Sequence, residues 1–111
     1  MGSNEFPLSE RYRVAGEDWA DKEAAAQLLE DMKSAIMAQR QLMLGDIPVN
    51  KAEQSVKASK EWTGYINNII EARKVANYAK INLEVRRMEY YEQQGKDANQ
   101  RSEMRMLGGT T

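Results

Sequence analysis

Hydrophobic side chains recur along the first half of the chain at three- and four-residue intervals, which is the spacing of one face of an α-helix. Asp18 is a candidate N-cap, strong helix formers follow it, and Gly45 is a suitable residue to end the helix. The pattern predicts a first helix of about 27 residues, which spans about 40 Å at 1.5 Å per residue. Its apolar stripe consists of Ala25, Leu29, Met32, Ile36 and Met43.

A second, longer helix is predicted from Trp62 to Gln94, with Gly95 as the residue that ends it. Alanines in the middle of its apolar face allow a neighbouring helix to approach closely. Asp97 then caps a last short helix. The apolar face of the long helix consists of Trp62, Tyr65, Ile66, Ile69, Ala72, Ala76, Ala79 and Leu83.

The segment Gly45–Val49 has the composition of a turn, with Ile47 and Val49 as apolar anchors. Asn50 and Glu53 have the spacing of a capping box, with Asn in place of Ser or Thr, and predict the start of a short connecting helix. The sequence therefore predicts an all-α fold. Its two long helices form an antiparallel helical hairpin, to which a short connecting helix and a short C-terminal helix are added.

Pro7 and Gly16 interrupt the helical pattern near the start of the chain, so residues 1–17 are predicted to form a flexible N-terminal arm. Residues 18–107 are predicted to form a single helical domain, because 111 residues suffice for one domain at most. Residues 108–111 are predicted to be a disordered tail. A kink or a second helix cap is expected within the segment Ser59–Trp62.

The composition excludes most catalytic and metal chemistry. The chain contains no cysteine and no histidine, so it lacks thiolate ligands, the commonest general base and the commonest zinc ligand. No glycine-rich phosphate loop or nucleophile motif is present. Acidic residues such as Glu30 and Asp31 have the spacing of a solvated helix surface. We therefore expect a protein that is not an enzyme and that uses no cofactor and no metal.

The expected cellular location of the protein follows from the same composition. No run of about 18 apolar residues occurs, so we expect no membrane span. No charged-then-apolar leader opens the sequence, and cysteine is absent, so a reducing cytoplasmic location is expected.

A charge gradient runs along the chain. Residues 1–50 carry nine Asp and Glu against five Lys and Arg, whereas residues 73–111 carry eight Lys and Arg against five Asp and Glu. Lysine and arginine can engage phosphates, and tyrosine rings can stack on unpaired bases. The alternative is a solvated salt-bridge face, since glutamates interrupt the basic residues. The predicted nucleic-acid-binding residues are Arg73, Lys74, Lys80, Arg86, Arg87, Arg101 and Arg105, with Tyr78, Tyr90 and Tyr91.

Methionine and tryptophan positions have both core and binding interpretations. Met32 and Met43 are predicted to fill the core, and Met104 and Met106 either fill it or dock onto a partner. Trp19 and Trp62 are each predicted to anchor one end of the helical core; an exposed tryptophan would instead mark a recognition site.

The long helix offers a wider apolar face than one hairpin partner covers. Soluble monomers rarely expose apolar patches of several hundred Å², so the sequence predicts a homo-oligomer. The predicted oligomer interface consists of Trp62, Ile66, Ile69, Ala72, Ala76 and Leu83.

The order and composition of five segments resemble those of a known class of small helical proteins. The segments are Gly45–Glu53, Glu61–Ile66, Glu71–Asn77, Tyr90–Glu92 and Arg101–Arg105. In this layout the chain resembles small all-helical accessory proteins of bacteriophages and is similar to phage recombination mediators. The resemblance implies an oligomer that binds single-stranded DNA and helps to load a recombinase.

Two function hypotheses follow. The first is a phage-type accessory protein in DNA recombination or replication, which binds single-stranded nucleic acid through its basic helix face. The alternative is a protein–protein interaction module without nucleic-acid contact, such as a phage assembly factor or an inhibitor of a host protein. The expected partners are a second copy of the chain and either single-stranded DNA, a recombinase or a host protein.

Overall fold

All regular structure in the described part of the chain is helical. The computed structural model describes residues 6–108, and the predicted all-α class is confirmed for them. The helices are α1 (Leu8–Asp31), α2 (Lys33–Met43), α3 (Val49–Lys57) and α4 (Lys60–Gly108).

The predicted N-terminal arm is wrong for residues 8–17, which are the first turns of α1. Pro7 lies just before the helix, at a position whose N–H forms no hydrogen bond within a helix, so its lack of an N–H costs nothing there. Its carbonyl accepts the N–H of Arg11 at 3.0 Å. Gly16 lies inside α1 and does not interrupt it. Residues 1–5 of the predicted arm lie outside the described residues.

The first predicted helix is divided at Met32. This residue has φ −80° and ψ −8°, yet its N–H still donates to the carbonyl of Leu28 at 3.0 Å. The interruption is therefore a local irregularity within a nearly continuous hydrogen-bond ladder. The predicted end near Gly45 is confirmed, because α2 stops at Met43 and Gly45 has φ +84°. A left-handed residue of this kind is best supplied by glycine.

The connection between α3 and α4 is a cap centred on Ser59. Its hydroxyl donates to the carbonyl of Val56 at 2.6 Å and accepts the N–H of Trp62 at 3.2 Å. The expected second cap is therefore present. At the other end of α3, the helix begins at Val49 directly after Pro48, slightly earlier than Asn50 predicts.

The predicted end of the long helix at Gln94 is wrong. Helix α4 continues through Gly95 to Gly108, so no separate C-terminal helix begins at Asp97, and Gly108 belongs to α4. Glycine inside a helix costs about 1 kcal/mol relative to alanine, which a long, already nucleated helix tolerates. The rest of the predicted tail, residues 109–111, lies outside the described residues.

The chain divides into two compact units, where the sequence predicts one domain. The terminal unit comprises Met1–Trp19 and Ala79–Thr111, and the central unit comprises Ala20–Tyr78. Each unit contains part of α1 and part of α4. Among the described residues, the buried apolar side chains are Ala15 and Ala79 in the terminal unit and Ala26, Ala52, Val56, Trp62 and Ala76 in the central unit.

Both cores are built mainly from alanine. Small side chains at a helix contact allow the two backbones to approach closely, as the alanines of α4 predict. Trp62 is the one large side chain among the buried residues described, so its predicted role as a core anchor is confirmed. The prediction that Met32 and Met43 fill the core is wrong, because their side chains are 43% and 74% exposed.

Candidate functional site

Arg73 belongs to an ion-pair cluster that joins α4 to α1 in the central unit. Its Nε and Nη2 atoms donate to the two carboxylate oxygens of Glu30 at 3.0 and 3.1 Å, and Nη1 donates to Glu23 at 2.6 Å. These bonds, first those to Glu30 and then those to Glu23, raise the pKa of Arg73 above its usual value. With all three donating nitrogens engaged, Arg73 has little capacity left for a phosphate.

The other predicted basic residues divide into paired and unpaired groups. Arg86 contacts Glu89 at 3.0 Å, and Arg87 contacts Glu84 at 2.6 Å, each one turn away on the same helix. The Arg87–Glu84 pair is exposed, and pairs of this kind are worth little stability, whereas the Arg86–Glu89 pair is half-buried and Glu89 also lies 3.8 Å from Arg11. Within residues 6–108, Lys80, Arg101 and Arg105 have no carboxylate partner.

Tyr78 lies apart from the other two predicted tyrosines. Its ring is exposed in the central unit, with the ammonium group of Lys74 5.9 Å from the ring centroid. This arrangement is a cation–π contact at an exposed site. The ammonium group of Lys74 therefore lies over an aromatic ring of its own helix.

Three tyrosines form a cluster in the terminal unit. The ring centroids of Tyr12 and Tyr90 are 5.7 Å apart, and those of Tyr90 and Tyr91 are 5.5 Å apart in an edge-to-face arrangement. Arg87 carries a positive charge near Tyr12 and Tyr91, which contribute after Glu84 to the raised pKa of its guanidinium group. We call Tyr12, Tyr90 and Tyr91 the tyrosine cluster. A shallow cavity of about 340 Å³ borders it, lined by Ser9, Arg13 and Gly16 as well as by two of the tyrosines.

The charges within each unit balance. The described part of the terminal unit carries eight Lys and Arg and eight Asp and Glu, and the central unit also carries eight of each. Of the basic excess that the sequence shows over residues 73–111, Arg73 and Lys74 belong to the central unit, and the remainder is offset in the terminal unit by the acidic residues of α1. Neither unit therefore has the net positive charge that is typical of a nucleic-acid-binding domain.

The predicted oligomer face is largely used within the chain. Ala76 is fully buried and presents no surface to a second copy, whereas Trp62 is 8% exposed, so most of its side chain is used within the chain. The remaining four predicted interface residues are half-buried: Ile66, Ile69, Ala72 and Leu83. The burial of Ala76 within the chain argues against its predicted place in an oligomer interface, and the rest of that interface stays a prediction, because periodicity identifies an apolar face without identifying what covers it.

A different apolar stripe of α4 is exposed in the terminal unit. Ile81, Val85 and Met88 follow the i, i+4, i+7 spacing of one helix face, and all three are exposed.

The largest local concentration of exposed apolar side chains surrounds the turn between α2 and α3. We call Leu42, Met43, Leu44, Ile47 and Val49 the turn patch. Leu42 is 81% exposed and Val49 is 72% exposed, so Val49 does not act as the anchor that the sequence predicts. Leu42, Ile47 and Val49 line one cavity of about 350 Å³ together with Gly45, so these side chains lie close to one another.

A second cavity lies in the central unit between α2 and the first turns of α4, and we call it the α2–α4 groove. Its volume is about 360 Å³. Met43 of the turn patch is one of its lining residues, so the patch and the groove are continuous. The groove is lined by Ile36, Gln39, Arg40 and Met43 from α2 and by Glu61, Trp62 and Tyr65 from α4.

No known protein family, curated protein or solved structure matches this chain. The candidate surfaces therefore rest on the geometry of the chain itself. Within residues 6–108 there is no group of three or more metal-ligating side chains. Over the same residues, no helix combines the length and the apolar character needed to cross a membrane.

Sequence reasoning missed Tyr12 and the turn patch for different reasons. Tyr12 lies in the segment predicted to be an irregular arm, so no pattern connected it with Tyr90, which is 78 positions later. The turn patch did carry a signal, because Leu42, Met43 and Leu44 are three consecutive apolar residues at a helix end. A single helix face cannot bury three consecutive residues.

Proposed function

We propose that this chain is a non-enzymatic protein–protein interaction module that contacts its partner through the turn patch. The observation that carries the proposal is the exposure of five large apolar side chains within eight consecutive positions, Leu42 to Val49. Contiguous apolar surface of this kind is uncommon on monomers and is typical of interaction sites. In this role the protein is an assembly factor or an inhibitor that occupies a host protein.

The charge distribution supports a protein partner over a polyanion. Both units have balanced charges, and Arg73 is held by two glutamates. A partner that covers apolar surface gains about 25 cal/mol per Å² before the costs of association. Such a partner needs no large basic surface on this chain.

Capture from a bacterial lysate, with and without nuclease, tests this proposal. We expect wild-type protein to retain a partner after nuclease treatment, and Leu42→Ser with Val49→Ser to lose it, because the change removes apolar contact from the patch. The matched control is Met104→Ser with Met106→Ser, which alters two equally exposed apolar residues elsewhere. Loss of the partner on nuclease treatment, or equal loss with both variants, would contradict the proposal.

The tyrosine cluster favours a second candidate function, the binding of single-stranded nucleic acid. Tyr90, Tyr91 and Arg87 were predicted from the sequence to act together, and Tyr12 adds a third ring beside them. Stacking on aromatic rings is worth about 1–3 kcal/mol per base and does not require a particular sequence. In this role the protein is a phage-type accessory factor in DNA recombination or replication.

Fluorescence anisotropy with a labelled single strand, at low and moderate salt, tests the second candidate. We expect Tyr12→Leu with Tyr91→Leu to weaken binding by removing two stacking surfaces. Lys80→Glu with Arg87→Glu should weaken it and flatten its salt dependence. The matched control is Lys74→Glu with Tyr78→Leu, a Lys–Tyr pair outside the cluster, and it should leave binding unchanged. No binding by wild type at either salt excludes this candidate.

The proposal includes the hairpin arrangement predicted from the sequence. We infer that α1 and α4 run antiparallel within each unit, because residue numbers fall along α1 as they rise along α4 from one contact to the next. The supporting pairs in the central unit are Leu29 with Tyr65 and Glu23 with Arg73. The supporting pairs in the terminal unit are Gly16 with Leu83 and Tyr12 with Tyr90.

A further inference from the structure

The α2–α4 groove has two helical walls, and both contribute apolar and polar side chains to its lining. Ile36 and Met43 lie seven positions apart on α2, so the α2 wall extends over two helical turns, or about 10 Å. Trp62 lines the groove from α4 while remaining 8% exposed, so its ring is held in place by packing within the chain. A rigid aromatic side chain between two helices forms a preorganised contact surface.

The charged side chains of the groove are one cation on α2 and one anion on α4. Arg40 and Glu61 are both exposed, and neither has an ion-pair partner within residues 6–108. Two unpaired charges of opposite sign on facing walls are complementary to a ligand that carries both signs.

We infer that the α2–α4 groove binds an amphipathic α-helix of a partner protein. Two or three apolar side chains of that helix, at i, i+4 and i+7, would contact Ile36, Met43 and Trp62. An acidic residue on one flank would face Arg40, and a basic residue on the other flank would face Glu61. The inference rests on the proposed protein-binding function and names the class of partner and the groove that it occupies.

A helix suits this groove better than an extended strand or a polyproline segment. The lining offers side chains from two helices, and no exposed strand edge is present among the described residues to pair with an extended backbone. Polyproline ligands dock on grooves formed by several exposed aromatic rings, whereas the aromatic residues here are one buried tryptophan and the half-buried Tyr65. Apolar side chains projecting from one helix face match a two-turn groove.

A displayed peptide library is the probe for this inference. Peptides of about 16 residues, four helical turns, carry an alanine-rich helical framework and randomised positions on one face. They are selected on the full-length chain, and the best peptide is then synthesised for affinity measurement by fluorescence anisotropy. Arg40→Glu and Glu61→Lys change the groove. Lys51→Glu is the matched control, because Lys51 is an exposed lysine outside it.

We expect the selected peptides to share apolar residues at i and i+4 and an acidic flank. Arg40→Glu should weaken the best peptide by about tenfold, and exchanging the peptide's acidic residue for lysine should restore its affinity. Lys51→Glu should have no effect. Arg40 and Glu61 are exposed, so neither variant disturbs the core.

The outcomes that would contradict the inference distinguish an error in the groove assignment from an error in the proposed protein-binding function. If the peptides lose affinity with Leu42→Ser and Val49→Ser but not with Arg40→Glu, the groove assignment is wrong and the protein-binding function stands. If no peptide is selected, the helix assignment is wrong, and capture from lysate decides the function independently. If Arg40→Glu instead lowers the mass of the protein alone in light scattering, the occupant is a second copy and the partner assignment is overturned.

Discussion

The guanidinium group of Arg73 and the carboxylate of Glu30 lie side by side, with two nitrogen–oxygen contacts of 3.0 and 3.1 Å. This two-point geometry needs the planar arrangement of donors that arginine has and lysine lacks. Glu23 completes the cluster from the same helix as Glu30. A residue that the sequence placed in a nucleic-acid site thus holds α4 against α1.

Replacing Arg73 should destabilise the central unit. We expect Arg73→Gln to lower the free energy of unfolding more than Arg87→Gln does, because it leaves two glutamates of α1 without the arginine that they share. Arg73→Lys should recover only part of this loss. Arg87→Gln is the control, since Arg87 forms an exposed pair one turn away on its own helix. Urea unfolding measures all three, and equal effects of Arg73→Gln and Arg87→Gln would show that the cluster is only a surface pair.

The carboxyl group of Glu10 should titrate below its ordinary range. The Arg13 side chain hydrogen-bonds to it, which lowers the pKa of Glu10. A lowered pKa in the folded state means that the contact contributes stability above the unfolded pKa and loses it as pH falls through the folded value. Titration by NMR measures the pKa of Glu10 directly. Arg13→Gln should return the pKa of Glu10 to its usual value, and an unchanged pKa would contradict the contact.

Alanine at Gly95 should stabilise the end of α4. Gly95 is helical, has no positive φ, and an added Cβ would meet nothing within 4 Å. Gly95→Ala should therefore raise helix stability by about 1 kcal/mol. Residues 91–108 are all exposed, so their amides should exchange faster than those of residues 60–90. Hydrogen exchange should show slower exchange after the substitution, and an unchanged rate would mean that this end is held by other contacts.

The sequence predicted those features that depend on local chemistry. Helix-forming composition predicted the all-α class, and Gly45 was correctly placed at the end of α2 because a left-handed residue there favours glycine. Of the kink or second cap expected within Ser59–Trp62, the structure has the cap, because the hydroxyl of Ser59 bonds groups only three positions away. Each of these signals lies within a few residues of the structure that it predicts.

The sequence could not predict features that depend on distant partners. Gly16 and Gly95 were interpreted as helix breakers, but tertiary packing and an established helix override a cost of about 1 kcal/mol. Arg73 and Lys80 lie seven positions apart on the same helix face. Arg73 nevertheless pairs with Glu23, which is 50 positions away, whereas Lys80 contacts no carboxylate in the described chain. Periodicity indicates that residues share a face and does not indicate what lies opposite.

Self-association stays a prediction. The exposed stripe of Ile81, Val85 and Met88 is the surface on which we test it. We expect light scattering at micromolar concentration to give a mass above 12.7 kDa. Ile81→Lys with Met88→Lys should reduce the mass to that of one chain, because lysine disrupts an apolar helix face. Tyr78→Lys, in the central unit, is the control. A wild-type mass near 12.7 kDa would show that the chain is a monomer.

The alanine-rich cores imply a particular thermal behaviour. Unfolding exposes little buried hydrocarbon when most core side chains are single methyl groups, and the heat-capacity increment depends mainly on that exposure. We expect calorimetry to give an increment below about 12 cal/mol/K per residue, the lower end of the usual range. The curve of unfolding free energy against temperature should then be only weakly curved. A partner that covers the remaining apolar side chains should bind with a negative heat-capacity change.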